Sequence, residues 1–548
     1  MGDVLISILA FLFALGLIIG IHEGGHFFFA KKFNVLCREY AFGMGPQILK
    51  KKKGETTYSL RLLPIGGFCA IAGEEEELDP LKKLKKVRLG IEDGVVKKFY
   101  VDEKNIHFND IPVYELVSYD IFDEKDTGNL FIEVKEKEED ETTITYPVDP
   151  QAMFVLANTE IQIAPHNRTI NAKKKTQRAL IMFGGPMMNF VLALIVFFVA
   201  GLIKGFPNQK SNTLGSVSAS TPASVASLKA GDTIKDFKVD GTTYSINNWT
   251  DLEEFMSTYS STTTYTNNLI TCTFERDGNS YTETINPELT SYALGGVGFY
   301  QNQEGKVICN FQYLSEEEAK QYEEGFAKAN IYTAGLRINH VITKVDEAEI
   351  HCLQDLYKVL MANTKGNDMK IYVEGEENPI TVKPYSQSVL KASANLNEEA
   401  IPLAKITLGV SPTYKFNFFR SFAYSGKMTL KSSVAIVNTL KLLFTGGIGI
   451  KNLGGFVAIF SYTSNAAKTG FTTLLNWIGL LSVNIGIMNL LPIPALDGGR
   501  LVFVAYEAVT KKKPNPKVET ILITVTMILL LGLMVIVTFN DIMRLIRG

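Results

Sequence analysis

Four stretches of the chain stay apolar for long enough to cross a bilayer, which takes about 20 residues of helix. They cover about residues 4–28, 179–204, 470–509 with a break, and 519–540. Between them the pattern changes period. Residues 38–42 read as a strand running into Gly43-Met44-Gly45-Pro46, and residues 57–63 alternate toward Pro64-Ile65-Gly66-Gly67-Phe68. This predicts a hairpin or small sheet beside the end of the first span. Glycine-rich backbone at membrane depth is tolerated when it is buried in protein or lines a cavity, so an edge here could pair with an extended peptide; an ordinary juxtamembrane hairpin is the alternative. Residues 79–165 alternate as strands do among many charges, at 113–117 and 131–134 for example, and predict a small β-rich insertion. Residues 416–444 space aromatics with Arg420, Lys427, Lys431 and Lys441 as an interfacial amphipathic helix does, a packed external helix being the other reading.

Charge sets the expected topology. Lys31, Lys32, Arg38 and Lys50 to Lys53 follow the first apolar stretch, Lys173 to Lys175 and Arg178 precede the second, and Lys511, Lys512, Lys513 and Lys517 separate the third from the fourth. The positive-inside rule places 31–178 and 510–518 in the cytosol, and 205–469 with both termini outside. Arg544 and Arg547 oppose this and are outnumbered. The first stretch lacks a preceding basic residue and a small-residue cleavage site, so it is expected to stay as a span. With 548 residues the chain should form three or four units, and its net charge of -2 gives no reason to expect a nucleic-acid partner. Cys37, Cys69, Cys272, Cys309 and Cys352 show no paired spacing and read as core residues.

The chemistry sits inside the apolar pattern. His22 and His26 lie four residues apart in His22-Glu23-Gly24-Gly25-His26, so a helix brings both imidazoles to one face, where they can share a metal ion. Glu23 stands beside them as a base for a metal-bound water. Ionisable residues inside a span are costly, about 2.5–3.5 kcal/mol on insertion scales, and usually mark function. A catalytic zinc wants three protein ligands and an open position. Asp497, the one acid of the broken third span before Glu507, can complete the set. In the second span, Gly184-Gly185-Pro186-Met187-Met188-Asn189 offers small residues for close helix approach and an asparagine that needs a partner, either a neighbouring helix or a substrate. His107 and His166 have no partner at ligand spacing, and the acidic residues 74–77 and 136–141 read as solvated surface.

The region after the second span resembles two PDZ domains of the bacterial, circularly permuted type. Leu214-Gly215-Ser216-Val217, Gly231-Asp232 before an apolar strand, a helix with Trp249, Leu252 and Phe255, and strands at 269–274 and up to Pro287 carry the first likeness. The second is looser, from residues 294–299 through a helix at 353–360 to strands at 369–373 and 380–382, with Asn339-His340 where Gly-Asp would stand. PDZ folds bind peptides by strand addition or serve as spacers. Residues 384–402 read as a linker.

Taken together, HExxH in the first span, GGPxxN in the second, the PDZ-like region and the motif from Asn489 to Gly499 in the third resemble the site-2 protease family of intramembrane zinc metalloproteases. The resemblance implies His22, His26 and Asp497 as Zn2+ ligands, Glu23 as catalytic acid/base, and Asn189, Gly43, Gly66 and Gly67 as substrate-handling positions. It also implies a multi-pass protein of the bacterial cell membrane, with its catalytic site near the cytoplasmic side and its PDZ-like region extracytoplasmic. The implied substrates are single-span membrane proteins such as anti-sigma factors or signal-peptide remnants. Gly455-Phe456 departs from the family's usual Gly-Pro.

The expected fold is a polytopic α-helical core of about four transmembrane helices with membrane-associated β-hairpins and extracytoplasmic α+β domains. Its parts are 1–78 with the first helix and hairpin, 79–178 the insertion, 179–204 the second helix, 211–288 and 289–385 the PDZ-like units, 386–469 linker and amphipathic helix, and 470–548 the last two helices. An inactive relative with a structural zinc, or a peptide-binding scaffold, are the competing readings; the base at Glu23 argues against the first and the buried ionisable residues against the second.

Overall fold

The computed structural model describes residues 2–74, 79–101, 110–123, 127–136, 142–156, 159–263, 265, 268–310, 331–332, 334–393, 401–445 and 454–547. His107, residues 75–77 and residues 137–141 lie outside these. The chain divides into two compact units, Met1–Val196 with Gly455–Val537, and Phe197–Gly454 with Thr538–Gly548.

The first unit is built on helices α1 (Gly2–Lys32), α2 (Lys175–Lys204), α3 (Phe456–Thr469), α4 (Phe471–Asn489), α5 (Asp497–Thr510) and α6 (Pro516–Arg547). Four of them, α1, α2, α4 and α6, are long and apolar enough to cross a membrane. On α6, Ile528, Leu529 and Val535 are each more than 60% exposed, a surface that only lipid or another apolar phase would cover. α3 lies inside the stretch expected as linker and amphipathic helix. It packs on α1 through Phe11, whose ring stands 5.1 Å from Phe456 and 5.3 Å from Phe460, and through Ser7 and Ser464, whose hydroxyls are 2.6 Å apart. With 14 residues and several hydroxyl and amide side chains, it is too short and polar to stand out as a span. Gly455 is its N-cap, where the family's usual Gly-Pro would place a proline at the first helical position.

Strands β1 (Cys37–Lys53) and β2 (Thr56–Ile71) turn at Gly54-Glu55, so the lysine run 50–53 is strand. Both fold over. Tyr40 pairs with Cys69 on one side and Tyr58 on the other, and Phe42 likewise with Gly67 and Leu60, so the two strands fold into four segments joined by three ladders. Residues 67–71 form one edge of this sheet.

The insertion holds β3 (Lys86–Glu92), β4 (Val95–Tyr100), β5 (Val113–Asp120), β6 (Phe131–Lys135), β7 (Ile144–Leu156) and β8 (Thr159–Gln162). Consecutive antiparallel pairing of β4-β3-β5-β6-β7 closes on itself because β7 also pairs parallel with β4, leaving β8 appended to β7. Phe99, Phe154, Ile132 and Val134 fill this small barrel. Closure removes the free edges that invite aggregation. Arg168 grips both carboxylate oxygens of Glu55 at 2.9 and 2.8 Å, which holds that carboxyl below its usual range. Arg38 donates from Nε to the Gln162 carbonyl at 2.9 Å, so sheet and barrel are tied together.

In the second unit, a four-stranded sheet runs Thr242–Ser245, Thr233–Val239, Ile270–Arg276, Asn279–Ile285, with helix Trp249–Ser261 capped by Asn248, whose side chain accepts from the Asp251 amide. A second sheet runs Ile380–Val382, Met369–Val373, Val341–Val345, Val307–Asn310, Val297–Gln301, Glu288–Ser291, Ala404–Thr407, accompanied by helix Leu353–Ala362. Asn339 takes the left-handed φ of 67° near the start of its strand, as Gly231 does at 94° in the first sheet; asparagine is among the few side chains that accept it.

Residues 404–412, expected to follow a linker, are structural. Ala404–Thr407 completes the second sheet against Glu288–Ser291, and Val410–Pro412 pairs with Leu214–Val217. Ala404, Ile406 and Leu408 share one continuous core with Leu214, Trp249 and Leu289. The pairs Phe206 with Lys415 and Pro207 with Tyr414 close the region at its base. Helix Phe418–Phe444 follows, with Phe419 and Phe422 at 83% and 70% exposure on one side and Ser421, Ser425 and Met428 buried on the other.

Candidate metal centre

α1 is apolar almost throughout, and its polar group falls where α2 and α5 meet it. Gly25 faces Gly184 so closely that a Cβ on Gly25 would stand 2.1 Å from the Gly184 carbonyl oxygen. One residue on, a Cβ on Gly185 would stand 2.3 Å from His26 Nε2. The small residues of α2 therefore do more than allow helix contact: they leave the volume into which both imidazoles turn.

Asp497 opens α5 after the break at 490–496, where Pro492 and Pro494 cannot continue α4. His22 Nε2 and His26 Nε2 are 3.3 Å apart, and Asp497 Oδ2 lies 3.3 Å from the first and 3.4 Å from the second. Ligand atoms about 2.0–2.1 Å from a tetrahedral ion stand about 3.3–3.4 Å from one another, so the triangle has the spacing of three zinc ligands. His22 and His26 are buried, and Asp497 Oδ2 is buried without a well-formed hydrogen bond. A cation satisfies that orphaned oxygen and both nitrogens at once. The residues present fit zinc.

The other imidazole nitrogens are engaged. His26 Nδ1 is 2.8 Å from the Ile181 carbonyl and His22 Nδ1 is 3.1 Å from the Asn189 amide. An imidazole that binds metal through Nε2 carries its proton on Nδ1 and donates it. Amide oxygen and nitrogen are interchangeable in shape, and with them exchanged Asn189 Oδ1, otherwise buried and unpartnered, accepts that proton. Ser482 on α4 donates to the Asn189 carbonyl at 2.8 Å. Asn189 is fully buried, is not among the residues that line the cavity, and has its amide against His22.

A cavity of about 590 Å³ opens from these groups. His22, Glu23, His26 and Asp497 form one end, and residues 68–71 at the sheet edge line a side. Gly67 fits between sheet and helix, where a Cβ would be 2.9 Å from the Ala41 carbonyl oxygen and 3.6 Å from Glu23 Cγ. Gly43 and Gly66 hold left-handed φ angles of 86° and 81° that shape the sheet's bend, and neither is among the lining residues. Arg500, one turn after Asp497, forms an ion pair with Glu74 in the same wall; burial holds the Glu74 carboxyl above its usual range against the opposing pull of Arg500. His166 sits in a turn at 166–168, apart from the cluster.

Sequence reasoning missed Ser482, the Glu74–Arg500 pair and the barrel residues that reach the cavity. Ser482 has a weak signal, a hydroxyl in a span. The others lie far apart in sequence and have none.

The model of peptidase family M50 matches residues 10–533. Zinc metalloprotease RasP of Oceanobacillus iheyensis is 31% identical over 541 residues, covering 98% of this chain and 99% of that protein. Zinc metalloprotease RasP of Shouchella clausii is 26% identical and the regulator of sigma-W protease RasP of Bacillus subtilis 28% identical, each over 541 residues with the same coverage.

Proposed function

This chain belongs to peptidase family M50 and is a membrane-embedded zinc metallopeptidase of the site-2 protease type, and from that premise we propose that His22, His26 and Asp497 hold the zinc while Glu23 serves as acid and base. The triangle of ligand atoms at 3.3–3.4 Å carries this reading. Zinc bound there would polarise the scissile carbonyl and make its water acidic near neutral pH. Glu23, half-buried at the end of the cavity, takes the proton of the attacking water and returns it to the leaving amide nitrogen.

The substrate is a single-span membrane protein, such as an anti-sigma factor or a signal-peptide remnant; the Bacillus relative's name as a regulator of sigma-W supports the first class. A substrate helix must unwind locally, since its carbonyls are held by their own hydrogen bonds. The edge at residues 68–71 then receives the extended stretch by strand addition. Lysine clusters around α1, α2 and α5 support a cytosolic sheet, barrel and catalytic end, with residues 205–415 outside. That outer region, two PDZ-like units, keeps bulky substrate domains away from the membrane site.

Glu23→Gln keeps the size of the side chain and removes the base. Zinc content of the purified variant should match wild type, while cleavage of a pre-trimmed substrate in membranes should fall by about 10²–10⁴-fold. Equal processing by both proteins on every substrate tried would refute the mechanism.

A further inference from the structure

The cavity does not end at the sheet edge. Its far wall belongs to the insertion: Phe122, Phe154, Ile161, Gln162 and Ile163 line the same 590 Å³ as the metal cluster. Phe154 and Ile163 are core residues of the barrel that only touch it, at 2% and 1% exposure. Phe122 and Ile161 differ. Both are half-buried, and Phe122 packs against the barrel core.

β8 has the geometry of a receptive edge. It is the outermost strand, joined only to β7 among the described residues, with Phe154 opposite Ile161 and Met153 opposite Gln162. The Ile163 amide turns inward to the Ala152 carbonyl, and the Gln162 carbonyl turns outward to Arg38 Nε. The outward peptide groups of β8 therefore look toward β1 and the cavity, across from residues 68–71.

We infer that the insertion barrel is the second wall of the catalytic cleft, and that an extended substrate segment lies between residues 68–71 and β8 with an apolar side chain seated on Phe122 and Ile161. An extended chain has donors and acceptors on both edges, and one strand satisfies a single side of it. Two edges bordering one slot satisfy both. The volume lies within the range of about 300–1,000 Å³ of small-ligand sites, enough for a few residues. A segment drawn from a membrane span supplies the apolar side chain. This inference rests on the protease reading above, and it gives the insertion a share in choosing where the substrate is cut.

The test uses the full-length Glu23→Gln protein in membranes with a photo-crosslinking residue at position 68, 122, 161 or 117, and a tagged single-span helix with a helix-breaking centre as probe. Val117, on β5 of the barrel and 46% exposed, does not line the cavity. Crosslinks from 68, 122 and 161 without one from 117 are expected. Crosslinking from 68 but not from 122 or 161 overturns the second wall and leaves the protease reading intact. No crosslink from 68 either overturns both. In the active protein, Ile161→Ser should retain zinc and lower kcat/KM by about tenfold or more for probes with a large apolar residue on the flank that reaches β8, with little change for probes bearing alanine there. An equal loss for both probes marks a structural role and counts against the subsite.

Discussion

His22 and His26 are held differently, one by a side-chain amide and one by a backbone carbonyl, and only the first can be removed by substitution. Asn189→Leu takes away the acceptor that fixes His22 and leaves all three proposed ligands in place. Partners of this kind are worth about 10–100-fold in metal affinity, so zinc should dissociate at correspondingly higher free-metal ratios in a competition titration with a chelator. Unchanged affinity would mean that the amide is there for helix packing alone. At this scale the sequence was legible where chemistry imposes a fixed spacing: two histidines four positions apart, and a lone acid in a broken span. It was silent where two distant residues share a volume. Gly185 was readable as a small residue in a span, while the 2.3 Å at which an added Cβ there would meet His26 depends on how α1 and α2 cross.

Among elements, α5 must be aimed, because Asp497 starts it. Its other end is anchored to α2: Arg178 Nη1 meets Glu507 Oε2 at 2.6 Å, and Lys175 Nζ donates to the Glu507 carbonyl at 3.0 Å. Both ion-pair side chains are largely buried, at 16% and 10% exposure. Removing one partner of a buried pair leaves a charge without compensation, at a cost of about 3–5 kcal/mol. Arg178→Met should lower the melting temperature in detergent and weaken zinc retention, and adding Glu507→Met should recover most of the loss. If the double variant melts no higher than the single one, the anchor is not electrostatic. Strand Leu214–Val217 makes a second case. The edge by which a PDZ-like unit would take a peptide is already filled by Val410–Pro412, with Ser216 opposite Ser411. Cysteines at 216 and 411 should crosslink on oxidation and leave proteolysis unchanged. Loss of activity on oxidation, restored by reductant, would show instead that this strand has to leave. The alternating strands β5 and β6 were readable, whereas the strands within 404–412 are three or four residues long, below the length at which a period of two can be recognised.

For the whole molecule, the membrane spans were legible because bilayer thickness fixes their length, and the break before Asp497 because two prolines fix its place. Where the sheet region between α2 and helix Phe418–Phe444 ends was not, since its last strands return from beyond the linker. The pairings of Phe206 with Lys415 and Pro207 with Tyr414 mark the true boundary. Deleting residues 211–385 would strip strands from both sheets of this region and expose their shared core, so a cut at those limits tests folding rather than gating. Replacing 206–415 by a two-residue turn should instead leave zinc content unchanged and allow cleavage of substrates that still carry an outer domain. Continued refusal of such substrates, with trimmed ones still cut, would take the gating role away from this region. The ends to be joined, Gly205 and Phe416, directly adjoin the paired residues Phe206 and Lys415, which as antiparallel partners lie about 4.5–5.5 Å apart between Cα atoms. In the grammar of the chain residues 206–415 are a parenthesis: some 200 residues open and close at one point, so the sentence around them reads through. Such an insert can be lengthened, exchanged or lost in evolution without moving the helix ends that flank it, which leaves choice of substrate free to change while the metal site stays as it is.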